Sequence, residues 1–113
     1  MTNELRPWGN FQVLYEENTF KIKKITVDPK SRLSYQYHDK RSELWYILSG
    51  KGIVTINDEK IELNVGSTIK INKRDKHRIE NNGSENLIFI EIQTGSYFGE
   101  DDIVRIEDDY NRT

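Results

Sequence analysis

Apolar positions along this chain recur every second residue, and no stretch repeats with the 3.6-residue period of a helix. Phe11 to Tyr15 and Thr19 to Val27 are rich in aromatic and β-branched residues and read as strands. Within the second run the apolar phase set by Phe20 and Ile22 moves to Ile25 and Val27, which predicts a bulge or a strand passing between two sheets. Asp28-Pro29-Lys30-Ser31 is a turn signal, and Leu33 to His38 then alternates again. Ser34, Gln36 and His38 therefore share one face, and Leu33, Tyr35 and Tyr37 the other. Beyond the charged loop at 39–42, Glu43, Trp45 and Ile47 fall on one face and Leu44, Tyr46 and Leu48 on the opposite one.

The second half repeats the pattern with shorter strands. Ile53 to Ile56 and Lys60 to Val65 flank Asn57-Asp58, a dipeptide suited to the positive φ angles of a hairpin turn, and Ile61, Leu63 and Val65 form an apolar face. Thr68 to Ile71 follows Gly66, a polar loop covers 72–76, and His77 opens the next strand. Leu87 to Gln93 presents Leu87, Phe89, Glu91 and Gln93 on one side and Ile88, Ile90 and Ile92 on the other. The all-isoleucine side is expected to be core or interface, with Glu91 facing either solvent or a cavity. About ten short strands joined by turn signals predict an all-β, antiparallel jelly roll.

Composition narrows the possibilities. A chain of 113 residues is one domain, and 35% hydrophobic against 32% charged residues gives it a thin core that a homodimer would supplement. A formal charge of −2 supplies no field to recruit nucleic acid or an anionic membrane. No apolar run approaches the ~20 residues needed to span a bilayer. The first nine residues, MTNELRPWG, are not those of a signal peptide, and cysteine is absent, so a cytoplasmic location is the expectation. Residues 1–10 are expected to be irregular and pinned by Trp8, and the tail at 95–113 to pack on the barrel and end in an acidic, mobile segment.

The candidate chemistry lies in the only two histidines, His38 and His77, each within a strand-like run, and in Glu43, five residues past the first. Two neutral imidazoles and a carboxylate brought together by separate hairpins suit a divalent Zn, Fe, Mn, Co or Ni ion. The metal constellation is the favoured reading, and two unrelated surface histidines are the alternative.

The same stretches resemble the two cupin motifs. His38, Lys40, Glu43 and Gly50 occupy the first, whose form is H-x-H, a spacer, E, six residues and G. Gly66, Asn72, Arg74, His77 and Asn81 fall at the spacing of the second, although the usual proline and second glycine are replaced. Four segments extend the likeness over nearly the whole chain: RPWG at 6–9, LSYQYHDKRSELWYILSG at 33–50, HRIEN at 77–81 and IEIQTGSYFGEDDIVRIEDDYNR at 90–112. They are similar to the C-terminal cupin domain of bifunctional mannose-1-phosphate guanylyltransferase/mannose-6-phosphate isomerases, the type II phosphomannose isomerases. The resemblance implies a single cupin domain over 1–113, a double-stranded β-helix standing without the nucleotidyltransferase domain.

It also implies roles for particular residues. The family's metal site corresponds to His38, Lys40, Glu43 and His77, with Gln36 beside them. Histidine is usual where this chain has Lys40 and Leu44, and a protonated lysine has no lone pair to give, so the implied site is weaker, or not a metal site. An isomerase would move a proton between C1 and C2 of a hexose phosphate through an enediol, which needs a base and positive charge near the carbonyl oxygen. Glu91 is the expected base, and Lys40 would supply charge if the metal were lost. Lys40, Arg41, Arg74, Lys76 and Arg105 are the candidate phosphate cations, with Trp45 lining the cavity. The alternative is a non-catalytic cupin that binds a sugar or sugar phosphate as a regulatory or interaction module.

Overall fold

The structure is a computed structural model and describes residues 3–112. Among the described residues, twelve strands form two facing antiparallel sheets. One sheet runs in the order β1 (Asn3–Arg6), β2 (Gly9–Glu16), β3 (Phe20–Val27), β11 (Leu87–Gly95), β6 (Arg41–Ser49) and β9 (Thr68–Ile71). The other runs β12 (Val104–Glu107), β5 (Tyr35–Tyr37), β10 (His77–Asn81), β7 (Gly52–Ile56) and β8 (Glu59–Leu63), with the two-residue β4 (Ser31–Arg32) also paired to β10. Neighbours in a sheet are mostly distant in sequence, as in a jelly roll, where strands joined by turns alternate between the two sheets. Among the described residues no helix is long and apolar enough to cross a membrane.

Local chemistry explains the boundaries. Asn57 and Asp58 turn the β7–β8 hairpin with φ of 47° and 71°, the paired positive values of a type I′ turn. Gly95 has φ of 152°, and a Cβ there would lie 2.3 Å from the Lys40 carbonyl oxygen, so only glycine lets β11 pass into the tail at that point.

Three expectations need correction. The segment at 1–10 is not irregular: Asn3–Arg6 pairs with β2 in continuous register, and Trp8 is buried where the chain turns between the two strands. Residues 1, 2 and 113 lie outside the described residues. The phase change in β3 is not a bulge, because β3 pairs with β11 without interruption from Phe20 to Val27. Its inward row is Lys23, Ile25 and Val27, all buried, so a lysine stands where an apolar residue was expected; the register shift falls on β2, between Val13 and Tyr15. The isoleucine row of β11 is not the core. Leu87, Phe89, Glu91 and Gln93 are the buried row, while Ile88, Ile90 and Ile92 are half-buried on the outer face beside the exposed Leu44, Tyr46 and Leu48 of β6. Likewise, of the apolar row predicted on β8, only Leu63 is buried, since β8 is an edge strand and leaves Ile61 and the adjoining Val65 open.

The interior is layered along the strands. Phe89 pairs across with Ile25 and Ile47, and this end is apolar, closed by Val27, Val54, Leu63, Ile79 and Leu87. Each such side chain contributes about 1.5–3 kcal/mol by leaving water. One step along β11, Glu91 lies opposite Lys23 and Trp45; two residues on, Gln93 lies opposite Glu43, and Gly95 opposite Arg41. The alternation that sends apolar residues into one half of the barrel sends polar ones into the other.

Candidate metal centre

The polar half encloses a cavity of about 130 Å³, whose lining includes Gln36, His38, Arg41, Glu43, His77 and Glu91. Glu43 is at its centre and is 3% exposed. Because Arg41, Glu43 and Trp45 alternate inward from one strand, the two flanking side chains reach the same carboxylate. Arg41 Nε donates to Glu43 Oε2 at 3.0 Å and Trp45 Nε1 to Oε1 at 3.0 Å.

Two imidazoles close on that carboxylate from the other sheet and its continuation. His38 Nδ1 is 3.6 Å from Oε2, and His77 Nε2 is 3.9 Å from Oε1. The rings lie 5.4 Å apart, centroid to centroid. His77 Nδ1 is 2.8 Å from the Asp75 carbonyl oxygen, so Nδ1 carries the hydrogen and donates it there, leaving the Nε2 lone pair facing Glu43. The ligand atoms of His38, Glu43 and His77 all lie within 4.8 Å of one another. Two ligands each about 2.1 Å from a tetrahedral ion are about 3.4 Å apart, so the 3.6 and 3.9 Å separations, too long for hydrogen bonds, match donors disposed to share a cation. The residues present therefore fit a divalent metal, and Gln36, beside His77 in the β5–β10 pairing, is the neighbouring neutral donor.

Burial sets the charge states. It pushes His38 from 6.5 down to about 3, helped by the positive charge of Arg41 and by His77, and it holds His77 below its ordinary value as well. Burial would raise Glu43, but its hydrogen bond with Glu91, the Arg41 charge and the Trp45 donor outweigh that and hold it below the usual carboxylate range. Glu91, 4% exposed, is pushed up to about 7 by burial, then by the charge of Glu43 and the hydrogen bond the two share. Of the two carboxyls, Glu43 is the anion and Glu91 the proton carrier near neutral pH. Gln93 Nε2 lies 3.3 Å from Glu91 Oε2 and donates to it.

Not every sequence-predicted residue reaches this cavity. His38, Glu43, His77, Gln36, Trp45, Glu91, Arg41 and Arg105 line it. Lys40 does not: β5 ends at Tyr37 and the chain bends at 39–40, so the alternation that would carry Lys40 inward after His38 stops. Its side chain lies outside, with Nζ 5.1 Å from the centre of the Tyr97 ring. Arg74, its side chain 78% exposed, pairs with Asp39, and Lys76 is exposed on the same loop. Lys40, Arg74 and Lys76 are thus removed from the cavity as metal-position, catalytic or phosphate residues. Leu44 is on the outer face, so its departure from the family's histidine is a surface matter.

Sequence reasoning missed Lys23, which enters from β3 and is 3% exposed, and Arg6 and Arg112, which also line the cavity. Lys23 was detectable by parity, because it shares the inward row of Ile25 and Val27.

A jelly roll with a His-Glu-His cluster in its polar half is a cupin. The S. pombe Cnp3 cupin domain superposes with a TM-score of 0.74 at 17% identity, covering 76% of this chain and 64% of that one, which bears on fold alone. The chain belongs to the family described as mannose-6-phosphate isomerase C-terminal, whose profile matches residues 1–108. It is 44% identical over 108 residues to the xanthan biosynthesis protein XanB of Xanthomonas campestris, covering 96% of this chain and 23% of that protein. It is also 43% identical over 107 residues to a mannose-1-phosphate guanylyltransferase of Klebsiella pneumoniae, covering 95% and 23%. The chain spans less than a quarter of the length of these curated relatives.

Opposed titrations give a testable pH response in the metal-free protein. His38 titrates near 3 when folded and 6.5 when not, so the unfolded chain binds the extra proton and stability falls as pH drops from 6.5 towards 3. Glu91 titrates near 7 when folded and 4.5 when not, so its contribution is full below 4.5 and is lost as pH rises through 7. Each contributes about 1.4 kcal/mol per pH unit in its window. The two offset one another, and in Glu91→Gln the acid loss is unmasked: urea midpoints measured between pH 7 and 4.5 fall more steeply than in the wild type, whereas His38→Gln reverses the difference. Parallel profiles for all three proteins would contradict this assignment of the buried proton.

Proposed function

We propose that this cupin is a metal-assisted sugar-phosphate isomerase of the mannose-6-phosphate type, interconverting an aldose and a ketose phosphate. The observation that carries the reading is Glu91, a buried carboxyl poised near neutrality next to the His-Glu-His cluster, in a chain of the mannose-6-phosphate isomerase C-terminal family. An acid that titrates close to working pH is suited both to take up a proton and to return it.

A divalent metal held by His38, Glu43 and His77 would polarise the sugar's carbonyl oxygen. Glu91 as carboxylate takes the proton from C2 of the open-chain aldose, breaking that C–H bond and leaving an enediolate whose negative charge falls on O1. It then delivers the proton to C1, forming the new C–H bond, while the hydroxyl proton passes from O2 to O1. Gln93 holds the Glu91 carboxyl in place through its 3.3 Å contact. Arg41 Nη1 and Arg105 Nε are buried without a hydrogen-bond partner, as donors awaiting an anionic ligand would be. The apolar layer of Trp45 and Phe89, whose rings are 5.0 Å apart, floors the cavity and keeps water from the enediol.

A binding module without catalysis rested on the replacements at Lys40 and Leu44. Leu44 lies on the outer face and does not bear on the cavity, so the alternative now rests on Lys40 alone, whose replacement leaves His38, Glu43 and His77 as the ligand set.

Tested by conversion of fructose 6-phosphate to mannose 6-phosphate with added divalent metals, the wild type turns over, and Glu91→Gln loses about 10²–10⁴-fold in kcat while still binding sugar phosphate. Wild-type rates in Glu91→Gln, or no turnover by the metal-loaded wild type, would contradict the reading. The partner proposed for the outer face of Ile88, Ile90, Ile92, Leu44, Tyr46 and Leu48 is a second copy of the chain, since a two-fold interface sets the same apolar patch against itself. Sedimentation then gives a dimer for the wild type and a monomer for a Tyr46→Glu/Ile90→Glu variant; a monomeric wild type at micromolar concentration would overturn it.

A further inference from the structure

Above the metal cluster, three cations from three strands of one sheet converge on one acid. Lys23 (β3) and Arg41 (β6) are 3% and 5% exposed, and Arg6 ends β1 at the cavity wall. Buried positive side chains are costly to fold unless paired; Glu43 pairs with Arg41, while Glu91, opposite Lys23, is pushed up towards its neutral form and compensates only in part. Arg41 spends its Nε on Glu43, but its Nη1 is buried with no hydrogen-bond partner. What faces these cations is Glu100, carried on the loop between β11 and β12. Its Oε1 is 3.3 Å from Lys23 Nζ and 3.9 Å from Arg6 Nη2, and its Oε2 is 3.8 Å from Arg41 Nη1. Only the contact with Lys23 is within hydrogen-bond range.

We infer that Arg6, Lys23 and Arg41 form the phosphate subsite of this cavity, and that Glu100 is a built-in carboxylate occupant that a substrate phosphate must displace. The inference deepens the isomerase reading and rests on it for the sugar. A planar, singly charged carboxylate with two oxygens satisfies one of the three cations and leaves the other two about 4 Å away. A phosphate group, with three free oxygens and nearly two charges, can accept from each of the three.

The fold allows the exchange. The Glu100 side chain is 51% exposed, so it can rotate outward, while the loop itself stays anchored: Phe98 is buried, and the Asp102 carboxylate accepts from the backbone N–H groups of Asp39 and Lys40 at 3.2 and 2.9 Å. Ile103, next on the loop, also lines the cavity, which places the latch at its mouth. While Glu100 is seated, Lys23 and Arg41 are compensated and the empty cavity is stable; when phosphate enters, the released carboxylate goes to water, where its charge costs little. The latch also sets selectivity, because a neutral sugar cannot repay the three cations for losing Glu100.

Calorimetric titration of the full chain and its variants with inorganic phosphate, mannose 6-phosphate and mannose tests this. A latch closed nine-tenths of the time weakens apparent affinity about tenfold. Glu100→Gln is therefore expected to bind both phosphate and mannose 6-phosphate about tenfold more tightly than the wild type. Lys23→Met is expected to lose both, with mannose binding weak and equal in all three proteins. Lys23→Gln, with circular dichroism on every variant, covers the case in which Lys23→Met does not fold. Equal phosphate affinity in the wild type and Glu100→Gln overturns the latch even where mannose 6-phosphate binds, and in that case the isomerase reading survives. Failure of mannose 6-phosphate to bind any folded variant overturns both.

Discussion

The site depends on one buried anion. Glu43, 3% exposed, is kept ionised by a guanidinium and an indole that reach it from its own strand, and both histidines close on it from across the barrel. Burial favours the neutral form of this carboxyl, and the interaction with Glu91, the Arg41 charge and the Trp45 donor together outweigh it, leaving a negative charge that can organise a cation between the imidazoles. Burial first, and then the charge of Glu43, pushes the neighbouring Glu91 upward towards neutrality, and together they create a proton carrier out of an ordinary carboxyl. Two carboxyls in one cavity therefore take different roles because Glu43 has a guanidinium and an indole as donors, whereas Glu91 has only the neutral Gln93 amide.

This arrangement is affordable because the barrel separates its two kinds of interior. The apolar layer around Phe89 supplies the folding energy, and the polar layer, which a small protein could not otherwise carry, sits on it as a continuation of the same strands. Trp45 belongs to both layers. Its ring packs on Phe89 at 5.0 Å and edge-on to His77 at 5.9 Å, while its Nε1–H serves Glu43.

Period-two alternation made much of this legible before any coordinates. It placed Gln36 on one face with His38, one residue past the end of β5, and put Glu43 and Trp45 of β6 together, and those four side chains do share the cavity. It failed where the backbone stops being a strand: Lys40 follows His38 by two residues, but the bend after Tyr37 turns it outward. It failed again where the inward residue was charged, since Lys23 looked like a break in phase rather than a lysine built into the interior. For β11 the all-isoleucine row looked the more apolar, yet the row that faces the opposite sheet is the one carrying Glu91 and Gln93; that is settled by what packs across. The Lys23, Arg41 and Glu100 cluster was beyond sequence reasoning altogether, because it joins positions 23, 41 and 100 through pairings that only the assembled sheet defines.

The measurement that bears most directly on the role of Glu43 is metal stoichiometry, by elemental analysis after dialysis against a divalent cation, for the wild type and for Glu43→Gln, which keeps the shape but removes the charge. One equivalent per chain in the wild type and none in a folded Glu43→Gln is the predicted result. No metal in the wild type, or an undiminished equivalent in the variant, would contradict a centre organised by that carboxylate.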